Sequence, residues 1–104
     1  MIQNWTSDEF KKHIENKEVI CLYLYTPMCG TCQVAGKMLE VTNELLPSLD
    51  IGKMDLNYAP ELADEYGIES VPCLLTFVNG MIQEKVYAFQ SVPFLYEKLL
   101  TVKA

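Results

Sequence analysis

Cys29 and Cys32 stand three residues apart in the stretch Tyr25-Thr26-Pro27-Met28-Cys29-Gly30-Thr31-Cys32-Gln33, directly after the apolar run Val19–Tyr25. That spacing supports three readings: a small redox-active disulfide, half of a tetrahedral metal site, or two ordinary buried thiols. A metal site needs four ligands, and there is no second Cys-x-x-Cys. Completing one would take Cys73 or a cluster shared between two chains.

The position of the pair says more than its spacing. Pro27 ends the apolar run, and a helical pattern follows the cysteines. The unpaired N–H groups and positive dipole end of a helix start favour a thiolate at Cys29 by roughly 0.3–1 kcal/mol when exposed and up to about 2 when partly buried. The thiolate is the attacking species in disulfide exchange. Cys32 lies one turn further in, on the side of Ala35, Gly36 and Leu39, shielded and within reach of the Cys29 sulfur. This arrangement divides the labour: Cys29 attacks a partner's disulfide, and Cys32 resolves the mixed disulfide. Gly30 keeps the turn open, and Thr31 tunes the redox potential.

The elements that must hold the pair are readable around it. Thr6 and Glu9 form a capping box for a helix over residues 7–16, which buries Phe10 and Ile14. Val19–Tyr25 has no polar alternation, the pattern of a central strand buried on both faces. Apolar residues at 34, 35, 38, 39, 42, 45 and 46 form a helical stripe ending at Pro47. A second central strand is expected over 51–57, and a short helix from Pro60 that stops at Gly67. Strands over 71–78 and 81–89 flank the hairpin signal Asn79-Gly80. A closing helix runs from Ser91, with a stub strand expected at 2–5. Strands joined through helices pair in parallel, and the last two pair antiparallel. The expected architecture is a three-layer α/β sandwich: a mixed sheet of four to five strands, flanked by four helices.

The chain has 104 residues, half of them hydrophobic, enough for one domain over residues 1–104. Its net charge of −6, with no arginine, argues against nucleic acid and anionic membranes. The N-terminal stretch lacks a signal-peptide pattern, and the longest apolar run is far shorter than a bilayer span. A monomeric cytoplasmic protein is expected, and in that reducing compartment paired cysteines serve redox or metal chemistry rather than stapling.

In its motifs and element order, nearly the whole chain resembles a thioredoxin. Cys29-Gly30-Thr31-Cys32 follows a strand and opens a helix, Gly67-Ile68 leads to Val71-Pro72, and Phe77-Val78-Asn79-Gly80 leads into a hairpin. The resemblance implies a thioredoxin fold and a thiol–disulfide oxidoreductase that reduces protein disulfides. An NADPH-dependent thioredoxin reductase would supply its electrons, with no bound cofactor or metal. It also implies a cis bond at Val71–Pro72, with Pro72 shaping a peptide groove lined by Met28, Gly30, Thr31, Val71, Ala88 and Phe89. Val71 would offer backbone groups to an extended substrate segment. Lys53 would tune the electrostatics around the inner thiol.

The departures lie close to the pair. Met28 and Tyr25 stand where thioredoxins carry tryptophan, and Lys37 stands at a helix-kinking proline. Thr31 replaces the proline between the cysteines, which implies a less reducing potential. Tyr23 replaces a buried aspartate that accepts the inner cysteine's proton, and a phenol is a poor base at neutral pH. Asp55, two residues beyond Lys53, is the candidate to supply that carboxylate. The rival function is a non-catalytic module of the same fold that binds a metal, an iron–sulfur cluster or a protein through its cysteines. Elsewhere, Cys21 and Cys73 read as core thiols, His13 as a satisfied or solvated residue, and the acidic residues of 61–69 as a solvated helix face.

Overall fold

The computed structural model describes residues 2–102, so positions 1, 103 and 104 of the expected domain lie outside it. The elements run β1 Gln3–Asn4, α1 Ser7–Asn16, β2 Val19–Tyr25, α2 Gly30–Leu45 and β3 Asp50–Asp55. A 3-10 turn at Leu56–Tyr58 follows, then α3 Pro60–Tyr66, β4 Cys73–Val78, β5 Met81–Val86 and α4 Val92–Leu100. The five strands lie in the order β1-β3-β2-β4-β5. β1, β3 and β2 pair in parallel, and β4 and β5 join antiparallel. The expected mixed sheet and four helices are both present.

β2 is central, and its sequence shows why. Ile20, Leu22 and Leu24 point into a core with Phe10 of α1 and Leu62 of α3, while Cys21 and Tyr23 point into a second core with Leu39 of α2 and Leu95 of α4. Both faces are covered, so polar alternation has no place in this strand. Leu24 pairs with Cys73, the first residue of β4. The segment after β2 and the segment before β4 therefore meet at one end of the sheet.

Local chemistry sets the boundaries. Thr6 Oγ1 accepts the Glu9 N–H at 3.1 Å, and Glu9 Oε1 accepts the Thr6 N–H at 2.9 Å, which closes the capping box on α1. Asn79 and Gly80 both hold positive φ, 51° and 81°, as a two-residue hairpin turn of mirror-image type requires. α2 begins at Gly30, so the cysteine pair opens the helix as expected, with Cys29 as its cap. Three expectations shift. β3 ends at Asp55, whose Oδ1 accepts the Asn57 N–H at 2.9 Å and turns the chain into the 3-10 segment. β4 starts only after Pro72, which has no N–H to give a ladder. β5 stops at Val86, before residues 87–89. The apolar stripe of α2 is also narrower than its sequence suggests, since Val34 and Leu45 are more than half exposed.

On the α1 side the Trp5 ring lies flat on Gly52, where an added Cβ would come within 2.0 Å of it. The same ring stacks on His13 at 4.0 Å between centroids, and His13 Nδ1 lies 2.5 Å from Asp50 Oδ2. His13 is thus a satisfied structural residue.

Candidate active site

Cys29 is the N-cap of α2, and its Sγ accepts the backbone N–H of Cys32 at 3.2 Å. This is the donor that a helix start leaves unpaired, so the first turn of α2 is built around the sulfur of Cys29. The two cysteines are joined as a disulfide with Cα atoms 5.2 Å apart. Cys29 is half-buried, while Cys32 is only 3% exposed. The Thr31 hydroxyl lies 3.3 Å from the Cys29 sulfur, and the carbonyl oxygen of Val71 approaches it to 4.0 Å.

The peptide bond before Pro72 is cis, and Val71 and Pro72 are both half-buried beside the pair. Met28 is 95% exposed immediately before Cys29. Gly30 and Thr31 face solvent, and apart from its neighbours along the chain nothing lies within 4 Å of where a Gly30 side chain would begin, so the surface beside Cys29 is open there. Ala88 is exposed. Phe89 differs from expectation: its side chain is 3% exposed and packs edge-on against Tyr23 at 5.7 Å, in the core beneath the site. A large apolar ring next to β2 is better satisfied by that core than by an open groove.

Behind Cys32 the buried Tyr23 donates its hydroxyl hydrogen to the Cys32 carbonyl oxygen. Burial, with a smaller contribution from Tyr25, pushes Tyr23 up to about 12. The phenol is therefore neutral at any ordinary pH and cannot act as a base. Its ring lies over Gly36, where a Cβ would sit 3.5 Å from Cε2. A cavity of about 350 Å³ extends from Cys32, lined by Tyr23, Tyr25 and Lys53 on the sheet and by Gly36, Lys37 and Glu40 on α2. Lys53 pairs with Tyr23 across the strands, and its ammonium stands 5.9 Å from the centre of the Tyr25 ring. Asp55 does not line this cavity, and its carboxylate is engaged in capping the 3-10 turn. The carboxylate that does line the cavity is Glu40, which the spacing of residues 32, 36 and 40 sets on the same helical face as Cys32.

Cys73 does not face the pair. It is fully buried among Leu22, Leu24 and Leu75 on the opposite side of the sheet from Cys32. Burial pushes its thiol up to about 11, against smaller opposing effects of Lys85 and Tyr87. Cys21 is likewise pushed up to about 12, by burial first and Asp50 second. Among the described residues no three His, Cys, Asp or Glu side chains gather as a metal-ligating group. No helix among them is long and apolar enough to cross a membrane.

Comparison with known proteins agrees with this geometry. The thioredoxin family model matches residues 1–98. The chain belongs to the thioredoxin family. It is 54% identical over 85 residues to the thioredoxin-like protein YusE of Bacillus subtilis, covering 82% of this chain and 79% of that one. It is 31% identical over 96 residues to putative thioredoxin 2 of Streptomyces coelicolor, covering 92% of this chain and 68% of that protein. Among solved structures, a mutant thioredoxin of Halobacterium salinarum superposes with a TM-score of 0.86 at 23% identity, covering 99% of this chain and 90% of that one. The thioredoxin of Fasciola hepatica gives 0.84 at 22%, covering 99% of this chain and all of the other. Family and fold, together with a Cys29–Cys32 pair at disulfide distance, make this thioredoxin a thiol–disulfide oxidoreductase acting as a protein-disulfide reductase. Proteins are its substrates in general, and a reductase is its general partner.

Proposed function

We propose that this thioredoxin reduces protein disulfides with Cys29 as nucleophile and Cys32 as resolving thiol. The observation that carries the assignment is the Cys32 N–H directed at the Cys29 sulfur, in the first turn of α2. A donor aimed at Cys29 stabilises a thiolate there, while burial at 3% exposure keeps Cys32 out of a substrate's reach until a mixed disulfide forms. In the first step the Cys29 thiolate attacks one sulfur of the substrate disulfide, and the other leaves as thiolate. Cys32 then gives up its proton and attacks Cys29 Sγ. The Cys29–Cys32 bond forms, the mixed disulfide breaks, and the second substrate sulfur leaves with the electron pair. Two electrons pass from dithiol to substrate.

Val71 and Pro72, with Met28, Gly30, Thr31 and Ala88, form the surface on which an extended substrate segment lies, and the backbone of Val71 pairs with it. Val71 suits this role because it lies outside the β4 ladder and beside Cys29. Lys53 acts on the field around Cys32 from across the cavity. The protein works in the reducing cytoplasm as an electron carrier, recharged by an NADPH-dependent thioredoxin reductase. A disulfide-reduction assay coupled to that reductase and NADPH tests this reading. Wild type is expected to turn over, Cys29→Ser to be inactive, and Cys32→Ser to accumulate mixed disulfides on Cys29. Full turnover by Cys29→Ser would overturn it.

A further inference from the structure

The resolving step leaves a proton without an obvious destination. Cys32 must lose its thiol hydrogen before it attacks, and the side chain directly behind it, Tyr23, already donates its own hydrogen to the Cys32 carbonyl. Burial holds Tyr23 near 12 and raises Tyr25 as well, with Asp55 adding to the effect on Tyr25. Neither phenol offers a basic oxygen at neutral pH. The other charged groups on the cavity are Lys53 from β3 and Lys37 and Glu40 from α2, and ammonium groups have no lone pair to give. Glu40 is the one carboxylate lining the space that Cys32 also lines.

The helix places it suitably. Residues 32, 36 and 40 follow at i, i+4 and i+8, so they share a face, and Gly36 puts no side chain of its own between the other two, the Tyr23 ring lying against it instead. Side chains on a helix lean towards its N-terminus, which tilts Glu40 back over Gly36 towards Cys32. The two Cα atoms are about 12 Å apart along the axis, a span that the Glu40 side chain and a short chain of waters can bridge. A cavity of about 350 Å³ has room for those waters, with polar groups to hold them.

We propose that Glu40 accepts the proton of Cys32 through water in the cavity that both residues line, and that Tyr23 is a positioning residue that holds the first turn of α2 without taking the proton. The Cys32 S–H bond breaks, water passes the proton to the Glu40 carboxylate, and the thiolate attacks Cys29 Sγ. The substrate sulfur departs with the electron pair, and Glu40 returns its proton to solvent. The proposal rests on Cys32 being the resolving thiol.

The test mixes reduced protein with a chromogenic aryl disulfide and follows the two thiolates as they leave. The first phase reports attack by Cys29, and the second reports resolution by Cys32. Glu40→Gln, a change at an exposed position, is expected to leave the first phase unchanged. It should slow the second about three- to tenfold near pH 7, and converge with wild type towards pH ~9, where hydroxide takes over. Glu40→Asp is expected to recover part of the rate, and Tyr23→Phe to keep the shape of the pH profile. The proposal is overturned if Glu40→Gln matches wild type, slows both phases alike, or slows the second by one factor at every pH. It is equally overturned if Tyr23→Phe, rather than Glu40→Gln, gives the second phase that is slow near pH 7 and recovers towards pH ~9. A missing first phase overturns the assignment of Cys29 itself, and this proposal with it.

Discussion

Two of the four cysteines lie inside strands and two at the start of a helix, and almost everything that separates them follows from that placement. Cys21 and Cys73 are fully buried, one on each face of the sheet, and burial holds their hydrogens far above the usual thiol range. Cys29 caps α2 with a backbone N–H aimed at its sulfur, and Cys32 sits one turn behind it, beside a cavity. Residue type is the same in all four. A strand interior surrounds a thiol with hydrocarbon and ladder-bonded backbone, whereas a helix start surrounds it with unpaired donors. Redox chemistry belongs to the second environment.

The most severe way to break this contrast is to remove one sulfur from each environment. Cys29→Ser should lower disulfide reduction by about 10³-fold or more, since the hydroxyl is not ionised near neutral pH. Cys73→Ser should leave turnover and redox potential unchanged while costing about 1–3 kcal/mol of stability, because it buries a hydroxyl among leucines. Denaturant unfolding together with the coupled assay measures both. A Cys73→Ser protein of wild-type stability but altered potential would reverse the assignment of roles.

Alkaline titration gives the next largest effect. The folded protein holds the Cys21 and Cys73 protons to about 12 and 11, whereas unfolded thiols lose them near 9. Above pH 9 the folded state therefore binds more protons than the unfolded state, so stability falls as pH rises from there towards 11–12. The slope should approach about 1 kcal/mol per pH unit for each thiol, with Tyr23 joining above pH 10. Replacing Cys73 by Ala should flatten that slope. Thiol labelling of the reduced folded protein at neutral pH should modify Cys29 alone.

The sequence made the frame legible because its signals were local and redundant. The Thr6–Glu9 capping box, the unbroken apolar run of β2 and the Asn79-Gly80 turn each named an element that the fold contains. The cysteine pair was legible for the same reason, since a strand end, a proline and a helix pattern surrounded it. What could not be read was direction in space. The ring of Phe89 had the right composition for a groove, but its backbone aims it at Tyr23. Asp55 had the right charge for the missing carboxylate, but a turn two residues later claimed its oxygen. Cys73 was read as a core thiol despite following Pro72, and side-chain alternation along β4 does carry it to the opposite face, fully buried. The two misses lie at or beyond a strand end, where local contacts rather than the strand's alternation decide what a side chain does.

The smallest effect probes the helix-start environment from within. Thr31 sets its hydroxyl 3.3 Å from the Cys29 sulfur, next to the N–H of Cys32. In the disulfide that sulfur is a weak acceptor, whereas in the reduced protein a thiolate accepts the same hydrogen more strongly. The hydroxyl therefore stabilises the reduced state more than the oxidised one, which raises the reduction potential. Thr31→Val preserves the shape of the side chain and removes the donor. It should lower the potential of the pair by about 10–30 mV, the equivalent of roughly 0.5–1.4 kcal/mol. The reactive thiol should also ionise at higher pH, as read from the pH dependence of iodoacetamide alkylation. Both shifts should survive in a Cys73→Ser background, because the strand thiols take no part in the field around Cys29. An unchanged potential would mean that the backbone donors of α2 alone hold the thiolate, with position at the helix start outweighing any side chain set beside it.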